Sequence, residues 1–206
     1  MGWGDEIIVT GQARQMAEAD GYPTLVLGYN HQVRKPHDAW ANNPRIVYSE
    51  KGVVGGRVHR LVNGPGERPY IAQKFWDRWG WKDFDCPIGE LYFSEGERDF
   101  AEGIAPIVVI EPNMKNSASP NKTWPRWASV VALLNREGIR PTMMGAVGGM
   151  QGVTFIPTPT FRHAAAVLAR SRVAILPEGG LHHAAAALGV PAVVLYGGYI
   201  SPRQTG

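Results

Sequence analysis

Residues 104–206 set the strongest limit on the fold, because short apolar runs of strand length alternate there with stretches of helical period. Residues 107–110, 141–144, 153–156, 173–176 and 192–196 are strand-sized and rich in β-branched or apolar side chains. Between the first two, Trp127, Val130, Val131 and Leu134 fall at i, i+3, i+4 and i+7, one face of a helix. Pro125 suits the entry to that helix and Gly138 its end. Residues 161–170 and 181–188 read as two more helices, the second closed by Gly189. Strands that alternate with helices across short turns predict a parallel sheet in an α/β unit.

The first half is less regular. Residues 5–19 read as a helix stopped by Gly21, and residues 24–27 and 46–48 as strands. Residues 60–100 hold Trp76, Trp79, Trp81, Phe84, Tyr92 and Phe93 among glycines and prolines and follow no period, so no elements are assigned there. The tryptophans suit core or domain-interface packing better than sugar platforms. Charge changes with rhythm: residues 1–103 carry 12 basic and 15 acidic side chains, and residues 104–206 carry 9 and 3. A domain boundary is therefore expected near Gly103, giving units 1–103 and 104–206.

Composition removes several classes. With 44% apolar residues and a formal charge of +3 over 206 residues, the chain can bury a core and is not a disordered segment. Cys86 is the only cysteine, so neither an internal disulfide nor a cysteine metal cluster can form. No apolar run approaches the ~18 residues of a membrane span, and residues 1–6 lack the pattern of a secretory leader. A soluble cytoplasmic protein is expected. The basic second half points to an anionic ligand, and the lack of a dense Lys/Arg block argues against nucleic acid.

The chemistry concentrates in Pro177-Glu178-Gly179-Gly180-Leu181-His182-His183, which follows a strand, turns on glycines and opens a helix. Such a turn presents unbonded first-turn amides and the positive end of a helix dipole, which together favour a phosphate. Its glycines let an anion approach the backbone. The same segment also reads as a plain strand–turn–helix connection, and a lone histidine is more often a packing residue than a ligand.

This segment resembles the pattern Asp-x-Gly-x-x-His-x-Ala-x-Ala-Leu-Gly-x-Pro of the heptosyltransferase-type glycosyltransferases, family nine. The match falls on Glu178, Gly180, His183, Ala185, Ala187, Leu188, Gly189 and Pro191. Asn121-Lys122-Thr123-Trp124-Pro125 resembles that family's Lys-x-Trp-Pro motif, and residues 160–171 its helix before the donor loop. Gly4-Asp5-Glu6-Ile7-Ile8-Val9-Thr10 resembles its Gly-Asp-x-x-x-x-Thr segment.

The resemblance implies a GT-B arrangement, two Rossmann-like parallel-sheet domains facing each other across a cleft, with the N-terminal one incomplete here. It implies inverting, metal-independent transfer of a heptose-like sugar from a nucleotide-diphosphate donor to a lipopolysaccharide-type or other saccharide acceptor. ADP-heptose is the family's typical donor and enters as substrate, so no cofactor is expected. A lipid-linked acceptor would bring the protein into peripheral contact with the inner membrane. By the same resemblance Asp5 is the candidate general base. Lys122 matches a lysine on the donor phosphates, and Glu178, Gly179, Gly180, Leu181 and His183 match the donor loop and helix start.

On the chemistry of the residues themselves, a carboxylate such as Asp5 can take a proton from an attacking hydroxyl, though Asp is also a favoured helix cap. Lys122 supplies a mobile point charge suited to phosphate oxygens, which with the helix end would neutralise the leaving diphosphate without a metal. Ser117 and Ser119 are candidate phosphate donors or turn residues. His182 and His183 are adjacent on a helix and are expected to diverge, so no metal site is expected.

The chain departs from the family pattern in three places. Glu178 replaces the usual Asp, only residues 1–3 precede the Gly4-Asp5 segment where a strand is expected, and the chain stops soon after residue 196. These departures keep an alternative open, a catalytically inactive nucleotide-binding or assembly module. A weaker alternative is a sugar-nucleotide epimerase.

Overall fold

The computed structural model describes residues 2–28, 31–51, 53–62, 88–112, 124–146 and 148–197. They form two compact units, Met1–Tyr92 and a second beginning at Phe93. That division precedes Gly103, where rhythm and charge change, because the helix at residues 95–101 packs within the second unit.

In the first unit, helix α1 (Trp3–Asp20) leads directly to strand β1 (Thr24–Leu27). Strands β2 (Ile46–Val47) and β3 (His59–Val62) pair with β1 on either side, both parallel, in the order β2-β1-β3. Helix α1 has no polar stripe over its middle: Glu6 through Ala13 are all buried, as in a helix enclosed on every side. Enclosure demands partners for its polar groups. The Glu6 carboxylate has no solvent exposure and is held by both arms of Arg34, at 3.0 and 3.1 Å. The Trp40 indole N–H donates to the Glu6 carbonyl at 3.1 Å, and Arg34 lies over the Trp40 ring.

Gly21 ends α1 in the left-handed region at φ 81°, its N–H donating to the Ala17 carbonyl at 2.7 Å. Residues 88–92 lie against α1, where Thr10 Oγ1 accepts from the Glu90 N–H at 2.6 Å. Gly89 makes that approach possible: a Cβ there would stand 2.5 Å from the Ile7 carbonyl oxygen.

The second unit opens with helix α2 (Glu95–Ala101), whose Ser94 and Glu97 form a reciprocal capping box. A five-stranded, all-parallel sheet follows: β4 (Val108–Ile110), β5 (Thr142–Gly145), β6 (Thr154–Pro157), β7 (Val173–Pro177) and β8 (Ala192–Leu195). Its order is β6-β5-β4-β7-β8, so β4 is central and the connection from β6 crosses over to β7. The intervening helices are α3 (Trp127–Arg136), α4 (Phe161–Leu168) and α5 (Gly180–Ala187).

Trp127 and Val131 of α3 bury against Val108, Ile110 and Met143, the face that the helical spacing predicts. Helix α2 is tied to α4 by a fork from Arg162 to Glu97, with Nη2 to Oε2 at 2.7 Å and Arg162 almost fully buried. Burial raises the Glu97 pKa, but the bonds from Arg162 and Ser94 outweigh it and leave the carboxyl below its ordinary value. Among the described residues, no helix is long and apolar enough to cross a membrane.

Candidate functional site

A parallel sheet aligns its strand ends, so chemistry gathers where the strands finish. In the second sheet, Ile110 of β4 pairs with Ile175 of β7, and both strands continue into acidic residues, Glu111 and Glu178. The backbone of each is anchored: the Glu111 N–H donates to the Ile175 carbonyl at 3.4 Å, and the Glu178 N–H to the Leu195 carbonyl at 3.1 Å.

Beyond Glu178, Gly179 caps helix α5 with an extended backbone and no side-chain cap, and the first turn contains no acidic residue. The amides of Gly180, Leu181 and His182 therefore start the helix without an earlier carbonyl to bond, and the dipole is not offset by a carboxylate within that turn. The first intrahelical contact is the His183 N–H to the Gly179 carbonyl at 3.3 Å. The Leu181 side chain is buried in the core, so only its backbone can meet a ligand. Ala184 and Ala185 are fully buried, as close helix–sheet packing requires.

Glu178 is 8% exposed and His182 7%. Glu178 Oε1 lies 4.0 Å from His183 Nε2, and the two imidazole rings are 4.6 Å apart at 35°. The expected divergence of the adjacent histidines is thus corrected. At the helix start both rings turn to the same side, and His182 also meets the Tyr196 ring edge-on at 6.1 Å. One ligand atom from each of Glu178, His182 and His183 lies within 4.8 Å of the others.

Asp5 occupies a different setting in the first unit. It is the third residue of α1 rather than the cap, which is Gly2, and its Oδ2 accepts the Gly2 N–H at 3.0 Å. The carboxylate therefore closes the helix start from within. Lys122, Ser117 and Ser119 lie outside the described residues. Asp83-Phe84-Asp85, an Asp-x-Asp triplet in the sequence, also lies outside the described residues.

Two residues of this region escaped sequence reasoning. Helical geometry alone argues against His182, because adjacent helix residues point in different directions. Glu111 follows the predicted strand directly, and an acid at the end of a central strand was the available signal. The residue keeps partial solvent contact, yet its carboxyl group is enclosed, and desolvation pushes its pKa up to about 7.

Residues 89–206, more than half of the chain, match the family model described as glycosyltransferase family 9 (heptosyltransferase). The chain belongs to glycosyltransferase family 9. As a family-9 protein it is a glycosyltransferase of the heptosyltransferase kind. No curated protein matches it.

Solved structures similar to this family-9 chain cover nearly all of it. A family-9 glycosyl transferase from Veillonella parvula aligns over 100% of this chain and 81% of its own, with 19% identity and a TM-score of 0.70. Heptosyltransferase WaaC of E. coli, solved with ADP, aligns over 98% and 86%, with 16% identity and a TM-score of 0.59. The E. coli ADP-heptose lps heptosyltransferase II aligns over 99% and 84%, with 17% identity and a TM-score of 0.57. At these identities the likeness speaks to the fold, an α/β plan with two parallel-sheet regions of GT-B type.

Proposed function

We propose that this family-9 glycosyltransferase moves a heptose-like sugar from a nucleotide-diphosphate donor, ADP-heptose, to a lipopolysaccharide-type saccharide acceptor, inverting the anomeric centre. The observation that carries the donor side is the start of α5: a glycine turn after an inner strand, first-turn amides, and no acidic residue in that turn. These features suit a pyrophosphate. In this reading Gly179, Gly180 and Leu181 bind through the backbone and His183 through its ring. Glu178 orients His183, and Lys122 and Ser117 add contacts to the phosphates. The similar WaaC was solved with ADP and the similar heptosyltransferase II is an ADP-heptose enzyme, which supports this choice of donor.

Asp5 takes the acceptor proton as the hydroxyl attacks the anomeric carbon. The cationic side chain of Lys122 and the helix end offset charge on the departing diphosphate, so the step itself uses no metal. The acceptor is the source of any contact with a membrane surface, and the site of action is cytoplasmic.

Incubating the protein with ADP-heptose and a lipopolysaccharide-core acceptor, with and without EDTA, tests the reading. The expected result is a glycosidic product of inverted configuration by NMR in both samples. Loss of product in EDTA would overturn metal independence, and a retained configuration would overturn Asp5 as a single-displacement base.

One observation favours a second reading. The Asp5 carboxylate is already engaged by the Gly2 N–H, which suits a structural cap in an inactive nucleotide-binding or assembly module. Nucleotide binding without Asp5-dependent turnover would establish it.

A further inference from the structure

We infer that Glu178, His182 and His183 form a binding site for a divalent transition cation of the zinc class. Three observations converge on it. The donor set is two imidazoles and one carboxylate, a combination that suits zinc and neighbouring transition ions rather than magnesium or calcium. One ligand atom from each residue falls within 4.8 Å of the others. The cluster is enclosed, with Glu178 8% and His182 7% exposed, so water has little access to compete with the three protein ligands, and the Glu178 carboxylate offsets part of the ion's charge.

Binding an ion would draw the three ligand atoms together. Ligand atoms around a tetrahedral ion at ~2.0–2.1 Å stand about 3.3 Å apart, and Glu178 Oε1 and His183 Nε2 are 4.0 Å apart. That gap, and the wider separations of up to 4.8 Å within the set, would close by side-chain rotation of Glu178 and His183 toward His182. The Glu178 backbone is fixed to β8 through the Leu195 carbonyl, and the His182 ring is braced by Tyr196. Three protein ligands leave a fourth position open, as in zinc sites that accept an exogenous oxygen.

The site shares Glu178 and His183 with the proposed donor loop, and its test reads the metal rather than transfer, so its failure is distinct from the failure of that reading. The metal-stripped full-length chain is titrated with Co2+, followed by visible absorption, and then with Zn2+ to displace it. The expected result is saturation at one equivalent, with ligand-field bands of a four- or five-coordinate ion that zinc abolishes. His182→Leu is expected to weaken the site at least 100-fold while circular dichroism stays native. His182→Cys is expected to keep binding and add a thiolate-to-cobalt charge-transfer band, which guards against a loss caused by unfolding. Absence of one-equivalent binding in the wild type overturns the inference. So does binding that His182→Leu leaves unchanged, or a His182→Cys protein that binds Co2+ without the new band.

Discussion

Helices α1 and α5 begin in opposite ways. The first turn of α1 carries Asp5 and Glu6. One carboxylate accepts the Gly2 N–H, and the other is buried beneath Arg34. The positive end of that helix is answered by its own sequence. Helix α5 begins on two glycines, with no acidic residue in its first turn and no side-chain cap. Its positive end remains available, with Glu178 one residue before the cap. A helix end that its own side chains complete is a structural joint, whereas one left to backbone amides is suited to a visiting anion. On the proposed function, Asp5 must serve as both joint and base.

The largest expected effect tests that double duty. Asp5→Asn should lower kcat by about 10²–10⁴-fold, the usual weight of a general base, with donor Kd changed less than about twofold by calorimetry. A stability loss of ~1 kcal/mol with turnover intact would make Asp5 a cap alone.

Next, Arg34→Met leaves the Glu6 carboxylate buried without its fork and should cost about 3–4 kcal/mol in urea unfolding. A cost below ~1 kcal/mol would mean that α1 does not depend on answering its own charge. Third, Gly179→Asp gives α5 the kind of carboxylate that α1 already has. The extended backbone at residue 179 accommodates it. Donor Kd should rise about 10–100-fold while the helix gains up to ~1 kcal/mol, and unchanged donor affinity would remove the pyrophosphate from that helix end.

The smallest effect concerns Glu111, whose folded pKa is raised to about 7. Below its ordinary value the carboxyl is protonated in both folded and unfolded states and costs nothing. As pH rises from there through about 7, the folded state must bear a buried charge, and stability falls. Glu111→Gln should therefore stabilise the protein by about 1–2 kcal/mol at pH 8 and by almost nothing at pH 4. Equal effects at the two pH values in paired denaturant titrations would show that the carboxyl is not desolvated.

The second sheet was legible because parallel strands buried on both faces leave continuous apolar runs. Strands β4 to β8 lie within a residue or two of the runs read from sequence, and Gly138 and Gly189 have the positive φ values of helix ends, 74° and 68°. Strand β3 was not legible, since His59 and Arg60 make half of it polar. Helix α2 was missed although Ser94 and Glu97 stand at capping-box spacing, because its seven residues carry too few apolar positions to show a period.

In the candidate site, the glycine turn and its neighbours could be read from order alone. The convergence of His182 with His183 could not, because ring orientation at a helix start is set by packing against Tyr196 rather than by the 100° step between residues. The role of Asp5 in closing its own helix was likewise hidden, since it depended on whether the helix began at residue 3 or residue 5.

Position 89 limits how this chain can drift. Any side chain there would collide with the Ile7 carbonyl, so saturation mutagenesis under selection for a folded protein should return one letter at that codon. At neighbouring Ile88, 57% open to solvent, it should return many. A single missing methyl thus decides whether the chain entering the family-matched region can lie down on the helix that carries Asp5.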